Sequence, residues 1–373
     1  MKVAVTGSGG FIGKHIVHAL HCRSDTEVQE IYRNSSPERL EQILHEAAFV
    51  FHLAGVNRPV DVAEFARGNQ EVTGQICQIL ERGGRRPTIV FSSSTQAGAE
   101  NPYGQSKLEA EKVLRSWTER SGGAAIAFRI PNVFGKWCRP NYNSVIATFC
   151  HSIAHDLPIT ISDPARVLEL VYIDDVVNEL LAPLDGALSN GFFEKREVSP
   201  TAKTSLGDLA AKIRSFKESR TSLTLPSFED DFTRRLYATY LSYLDGASFA
   251  YSLGRKDDQR GSLAEFMKSS HFGQIFVSRT NPGITRGNHF HNTKAEKFLV
   301  VEGSAVIRLR SINGGEIIEY RVSGDQFKVV DIPPGYTHSI ENIGSDEMVT
   351  LFWASEIFDP RRPDTTLLPV QTN

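Results

Sequence analysis

Three groups of residues have the types and spacing that chemistry requires. Tyr103 and Lys107, in YGQSK, are four residues apart, so a helix places them on one face. A lysine cation beside a phenol favours phenolate, which makes tyrosine a usable acid or base near neutral pH. The run TIVFSSS ends at Ser94, shortly before this pair. Ser94 is the expected hydroxyl for polarising a substrate carbonyl, with Ser93 as its substitute. The second group is Gly7-x-x-Gly10-x-x-Gly13 within TGSGGFIG. Such a turn lets backbone N–H groups and a helix N-terminus approach a pyrophosphate. The third is His289, His291 and Glu296 with the distant His338. Histidines two apart on a strand share a face, and three imidazoles with a carboxylate make a divalent-metal set. Each group also has a plain reading: a surface YxxxK, a glycine turn, histidines satisfied in a core. The order of the first two groups along the chain, each in its expected context, favours the chemical reading.

The elements that would position these groups fall into two regimes. Lys2 to Val5, Val28 to Arg33, Phe49 to Ala54, Thr88 to Ser92 and Ala124 to Ile130 read as strands. Helical patterns fill the gaps, as over Phe11 to His21 and Gln105 to Thr118. Alternation of this kind predicts an α/β fold, a Rossmann-type doubly wound parallel sheet. After about residue 250, short β-rich runs such as GQIFVS, EKFLVVEG and SAVIRLR follow at close intervals, predicting an all-β barrel or sandwich. The expected domains are 1–250 and 251–373.

Composition narrows the class. The 373 residues suggest about two domains, and a net charge of −3 gives no reason to expect nucleic acid or an acidic membrane surface as partner. No apolar run approaches the ~18 residues of a bilayer span, and the N-terminus reaches glycine too early for a signal peptide. Cys22, Cys77, Cys138 and Cys150 are scattered without CxxC spacing, which fits reduced thiols in a cytoplasmic protein.

TGSGGFIG, HLAG (52–55), SSS (92–94), YGQSK, Arg129-Ile-Pro-Asn132-Val-Phe-Gly135 and Val171-Tyr-Ile-Asp174-Asp175 resemble the extended short-chain dehydrogenase/reductases, a family of nucleotide-sugar epimerases, dehydratases and reductases. The resemblance implies a dinucleotide held by Gly7, Gly10, Phe11, Ile12, Gly13, Arg33, Leu53, Ala54 and Lys107. It implies catalysis by Ser94, Tyr103 and Lys107, and contact of Asn132 with a nucleotide sugar. Arg33 at the tip of the second strand either pairs with a 2′-phosphate or is a solvated surface charge; the first reading makes the cofactor NADPH. The segment between Arg33 and Phe49 is short for the family, which bears on the adenine contacts. Gly283, His289, His291, Glu296 and Gly303, with Pro333, Gly335, His338 and Asn342, are similar to the two motifs of the cupins, jelly-roll proteins. That likeness implies a metal on His289, His291, Glu296 and His338. Zinc is the first choice, while iron, manganese and nickel also suit the ligands.

Between Gly135 and Ser144, Lys136, Arg139 and Asn143 offer cations and an amide for a diphosphate and a uracil edge, and Trp137 offers a stacking face. The plain reading is a polar loop with one packed tryptophan. In the second half, Lys297, Tyr336 and the imidazoles are the candidates for a base, with packing and solvation the favoured reading for Lys297 and Tyr336. The chain as a whole is similar to bifunctional capsular-polysaccharide and O-antigen enzymes. HLAGVNRP (52–59), NPYGQSKLEAE (101–111), FGKWCRPNYNSVIATFC (134–150) and GNHFHNTKAEKFLVVEG (287–303) carry that likeness. It implies C3 epimerisation and C4 reduction of a UDP-2-acetamido-2,6-dideoxy-hexos-4-ulose, in a homodimer. Two alternatives stand beside it: a reductase whose cupin is a non-catalytic dimerisation module, and a non-enzymatic NADPH-sensing scaffold. The intact Ser94–Tyr103–Lys107 set speaks against the last.

Overall fold

The computed structural model describes residues 1–186 and 191–371. The chain divides into two units, Met1–Ile213 with Arg234–Leu244, and Arg214–Thr233 with Asp245–Asn373. Among the described residues no helix is long and apolar enough to cross a membrane.

The first unit is built on strands β1 (Lys2–Thr6), β2 (Glu27–Ile31), β3 (Phe49–His52), β4 (Thr88–Ser94) and β5 (Ala124–Ile130). Short strands β6 (Asn132–Phe134), β7 (Val167–Tyr172), β8 (Phe193–Glu197) and β9 (Thr201–Ser205) follow. The main sheet is parallel, in the order β2-β1-β3-β4-β5-β8. This order reverses direction between β1 and β3, and the crevice at such a switch point is where doubly wound sheets bind ligands. The short segment after Arg33 explains the order. It holds one helix, α2 (Pro37–Glu46), and no further strand before β3. The separate sheet β6-β7-β9 carries Asn132.

Helices α1 (Phe11–His21), α3 (Ala63–Phe65), α4 (Val72–Arg82) and α5 (Pro102–Ser121) connect the strands. The α5 helix begins where Asn101 caps it, its side chain accepting from Gly104 N at 2.8 Å, and ends at Gly122 in the left-handed region. Leu114 and Trp117 on its inner face are fully buried with Ile76, Leu80, Ile89 and Phe91. On the opposite face of the sheet, Val3, Val5, Phe51, Val90 and Phe128 pack with Ile16 and Leu20 of α1.

The second unit is two antiparallel sheets. Relevant here are β13 (Thr285–Phe290), β14 (Glu296–Glu302), β15 (Ser304–Ser311), β18 (Tyr336–Asn342), β19 (Met348–Ala354) and β20 (Thr366–Leu367). With β10 (Arg255–Asp258), β11 (Gly261–Ser269), β12 (Gly273–Thr280), β16 (Ile318–Ser323) and β17 (Val329–Ile332), one sheet has the order β10-β11-β12-β19-β14-β17 and the other β16-β15-β18-β13-β20. Alternate residues turn inward, as period-two strands require. Phe298 and Val300 of β14 meet Ile307 and Leu309 of β15, Ile340 of β18 and Phe352 of β19 in one core. This is the all-β sandwich expected from the sequence, as the doubly wound sheet is in the first unit.

A buried histidine ties the first sheet to its helices. His52 Nδ1 lies 2.9 Å from Thr6 Oγ1, and its Nε2 lies 2.9 Å from Thr73 Oγ1. Thr73 donates to Asn69 O and Thr6 accepts from Ala54 N, so the network is satisfied by a neutral ring with its proton on Nε2. Burial, helped by the Lys107 charge, lowers the His52 pKa to about 3. The unfolded chain takes up this proton near pH 6.5 and the folded one does not, so the contribution is complete above pH 6.5 and is lost as pH falls. The loss is about 1.4 kcal/mol per pH unit for one proton. His52→Gln is therefore expected to destabilise clearly at pH 7 and by roughly 2 kcal/mol less at pH 5. Urea midpoints at the two pH values check this; a pH-independent gap contradicts it.

Candidate active site and metal centre

The glycine turn joins β1 to α1. Gly7 has φ +68°, and a Cβ there would sit 2.7 Å from Ala54 N. A Cβ on Gly13 would sit 2.1 Å from Gly7 O. Only glycine allows both approaches. Gly10 caps α1 without a side-chain bond, and the first turn carries no acidic residue, which leaves the positive helix end open to an anion.

Two cavities open along this crevice. One, of about 1120 Å³, is lined by Gly7, Tyr32, Arg33, Ala54 and Arg58 among others. The other, of about 610 Å³, is lined by Gly10, Phe11, Ile12, Gly13 and Leu53 on one side. Its far side has Ser94, Tyr103, Lys107, Asn132, Trp137, Arg139 and Asn143. Both cavities touch Gly7, Gly55, Val56 and Tyr142. All nine residues expected to hold a dinucleotide therefore line one cavity or the other.

Tyr103 and Lys107 share the inner face of α5, one turn apart. Burial raises the Tyr103 pKa, and a hydrogen bond with Ser94 opposes that rise. Lys107 is buried, and its ammonium donates to Ser92 O at 2.8 Å and lies 4.8 Å from the Phe91 ring centre. Burial lowers its pKa to about 8, against the pull of the Glu111 carboxylate one turn further on. Burial and the carboxylate thus pull this ammonium in opposite directions. Ser93 is otherwise engaged: its hydroxyl donates to Glu111 at 2.6 Å, and Glu111 also pairs with Arg129 at 2.8 Å. Ser94 accepts a local bond from Gln96 N at 3.1 Å, and its hydroxyl faces the Tyr103 phenol rather than Glu111.

Lys136 is the expected residue that the cavity lining lacks. Its ammonium is 3.0 Å from the Asp174 carboxylate. Asn69 is the residue that sequence reasoning missed. It is buried in a π-helical stretch, Ala66–Glu71, clamps Val56 N and O at 2.9 Å each, and donates to Ser106 of α5 at 2.9 Å. Single π-turns of this kind often mark functional positions. No spacing in GNQEV signals it.

In the second unit the four expected ligands converge. His289 lies on β13 directly opposite His338 on β18, and Glu296 opens β14 of the facing sheet. A bulge at Asn288, φ +57°, re-aims the strand, and His291 lies just beyond its end. One donor atom from each of the four residues lies within 4.8 Å of the others. His291 Nε2 and His338 Nε2 are 3.4 and 3.2 Å from a Glu296 oxygen. Both nitrogens are buried and lack an aligned hydrogen-bond partner. Each ring turns its Nδ1 to a backbone carbonyl, Asp364 O at 2.5 Å and Tyr336 O at 3.3 Å, which places the proton there and leaves Nε2 a lone pair. Burial lowers the His289 pKa to about 4. Inward lone pairs on buried orphan nitrogens beside an ionised carboxylate fit a divalent cation.

Of the candidate bases, Lys297 faces away from this centre, its ammonium 2.5 Å from Asp331 and half exposed. The buried lysine is Lys294, 4.0 Å from Glu296. Strand alternation explains the difference, since Glu296 and Lys297 must point to opposite faces.

Residues 3–189 match the NAD dependent epimerase/dehydratase family, and residues 256–366 match the polysaccharide biosynthesis C-terminal domain. A Pseudomonas aeruginosa protein named UDP-2-acetamido-2,6-beta-L-arabino-hexul-4-ose reductase is 43% identical over 98% of both chains. The crystal structure of the capsular polysaccharide assembling protein CapF from Staphylococcus aureus superposes with a TM-score of 0.92 at 47% identity, covering 99% of this chain and 100% of that one. UDP-glucuronic acid 4-epimerase from Bacillus cereus, at 19% identity and a TM-score of 0.55 over 65% of this chain and 98% of its own, shares the fold alone. The chain therefore belongs to the NAD dependent epimerase/dehydratase family and, along its whole length, to the CapF-type proteins that join such a unit to a C-terminal polysaccharide biosynthesis domain.

Proposed function

We propose that this chain is a bifunctional nucleotide-sugar enzyme of capsule or O-antigen synthesis. It inverts C3 of a UDP-2-acetamido-2,6-dideoxy-hexos-4-ulose in the cupin, residues 251–373. It then reduces the C4 ketone with NADPH in the reductase, residues 1–250. The product is UDP-N-acetyl-6-deoxy-L-talosamine, a precursor of UDP-N-acetyl-L-fucosamine. The enzyme is a cytoplasmic homodimer in this reading, since closed twofold assemblies dominate among soluble oligomers. The observation that carries the proposal is the presence of two complete constellations, Ser94–Tyr103–Lys107 and His289–His291–Glu296–His338, on one chain. The relative that matches from end to end is itself named a reductase of a UDP-hexulose.

In the reductase, Ser94 donates a hydrogen bond to the C4 oxygen, and Tyr103 gives that oxygen its proton. Lys107, anchored on Ser92 O, steadies the phenolate that Tyr103 leaves behind. The bound nicotinamide supplies hydride to C4. Arg33, on the wall of the larger cavity with Arg58, pairs with the 2′-phosphate that distinguishes NADPH. Asn132, Arg139 and Asn143 bind the UDP end of the sugar, with Trp137 at the rim. Lys136 acts at one remove, holding Asp174 beside them.

In the cupin, His289, His291, Glu296 and His338 hold a divalent cation, with zinc the first choice. Held by these residues, such a cation would supply Lewis acidity, the chemistry that would acidify a C–H bond next to a ketone.

Two variants of the full-length protein separate the steps. Tyr103→Phe is expected to bind NADPH as the parent does and lose 10²–10⁴-fold or more in reduction, the range of a general acid, while still exchanging the C3 proton with solvent. Glu296→Gln is expected to lose C3 exchange and to keep reducing a 4-keto sugar supplied already inverted at C3. Stopped assays of NADPH oxidation with NMR of the sugar read both. Full turnover by Tyr103→Phe overturns its role, and full C3 inversion by Glu296→Gln makes the cupin non-catalytic.

A further inference from the structure

The residues that align the metal ligands include a segment far from both metal-binding motifs. After β19 the chain returns as a strap, residues 359–371, along the edge of β13. Its outer surface is exposed, and three residues face inward: Asp364, Leu368 and Val370. Strand β20 pairs Leu367 with His289 and Thr366 with Phe290. Leu368 N donates to Asn288 O at 2.9 Å, and Val370 N to Asn288 Oδ1 at 3.2 Å, which fixes the bulge that aims His289. Thr337, next to His338, donates its hydroxyl to Leu368 O, and Arg310 donates to Val370 O at 2.7 Å.

Asp364 is the centre of this arrangement. Its carboxylate accepts from the backbone N–H groups of Asn292, Thr293 and Lys294 at 2.9, 3.0 and 3.1 Å. It also accepts from Thr293 Oγ1 and Asn292 Nδ2, both at 3.1 Å. Five donors on one carboxylate pin the turn that runs from His291 towards Glu296. The carbonyl of the same residue takes the His291 Nδ1 proton at 2.5 Å. Asp364 itself sits at φ +39°, a conformation that a non-glycine residue keeps only when its surroundings enforce it. One residue therefore sets the backbone of the ligand loop with its side chain and the tautomer of a ligand with its main chain.

We infer that the C-terminal strap is a working part of the metal centre, with Asp364 as the positioning residue that fixes the orientation and tautomer of His291. The inference rests on the metal reading above. Outer partners of this kind are worth 10–100-fold in metal affinity. Linkage makes the dependence reciprocal, so the bound ion must also hold the strap in place.

Competition of the metal-free full-length protein against a zinc chelator tests this. Asp364→Ala is expected to weaken zinc binding about 10–100-fold, and Asp364→Asn, which keeps one acceptor oxygen, to fall between it and the parent. Asp364→Ala binding zinc within twofold of the parent overturns the inference. A parent that binds no zinc refutes the metal reading itself. Should Asp364→Ala fail to fold, hydrogen exchange on the parent decides. Zinc is expected to slow exchange in 289–294 and 359–371 together. Slowing in 289–294 alone overturns the role of the strap.

Discussion

A charge held away from water must be given partners, and both sites are organised around that requirement. In the first unit the charge is the Lys107 ammonium. It lies beneath Tyr103, against the Phe91 ring, with Ser92 O as its hydrogen-bond acceptor. Glu111 draws it towards the charged form, and Arg129 and Ser93 in turn satisfy Glu111. Removing Glu111 would leave the Ser93 hydroxyl and the Arg129 guanidinium without their partner, which ties strand β4, strand β5 and helix α5 together. In the second unit the charge is the Glu296 carboxylate, and its neighbours are imidazoles with inward lone pairs. Two lone-pair faces and an anion in one pocket leave a deficit of positive charge that a divalent cation supplies.

The order of the chemistry follows from the substrate as proposed. A proton at C3 is acidic only while C4 is a ketone. Inversion therefore precedes reduction, and reduction ends the acidity and locks the C3 configuration. A chain that carries both steps commits the inverted sugar at the moment it consumes NADPH. This gives a physical reason for two otherwise unrelated folds to share one polypeptide.

Much of this was legible in the sequence because it rests on local periodicity. The glycine turn, the YGQSK helix face and the pair His289 and His291 are each set by residues within one turn or one strand. The sheet order was less accessible: the short span between Arg33 and Phe49 signalled a departure, but the β2-β1-β3 order emerges only from pairing. Pairings across long separations were silent. Lys136 reads as a free cation until Asp174, far along the chain, reaches it. Lys297 takes the plainer of its two readings, a solvated charge, because strand alternation turns it outward; the sequence did not single out Lys294, which lies inside. Asn69 and Asp364 belong to no recognisable spacing, because each acts by bonding a backbone loop distant in sequence or irregular in form.

In the proposed function, C3 inversion and C4 reduction both occur on this one chain. Incubating the parent enzyme with NADPH and the UDP-2-acetamido-2,6-dideoxy-4-hexulose in deuterium oxide, and reading the product by NMR, tests it most directly. Deuterium is expected at C3 in every molecule reduced. NADPH consumption with protium retained at C3 would contradict it.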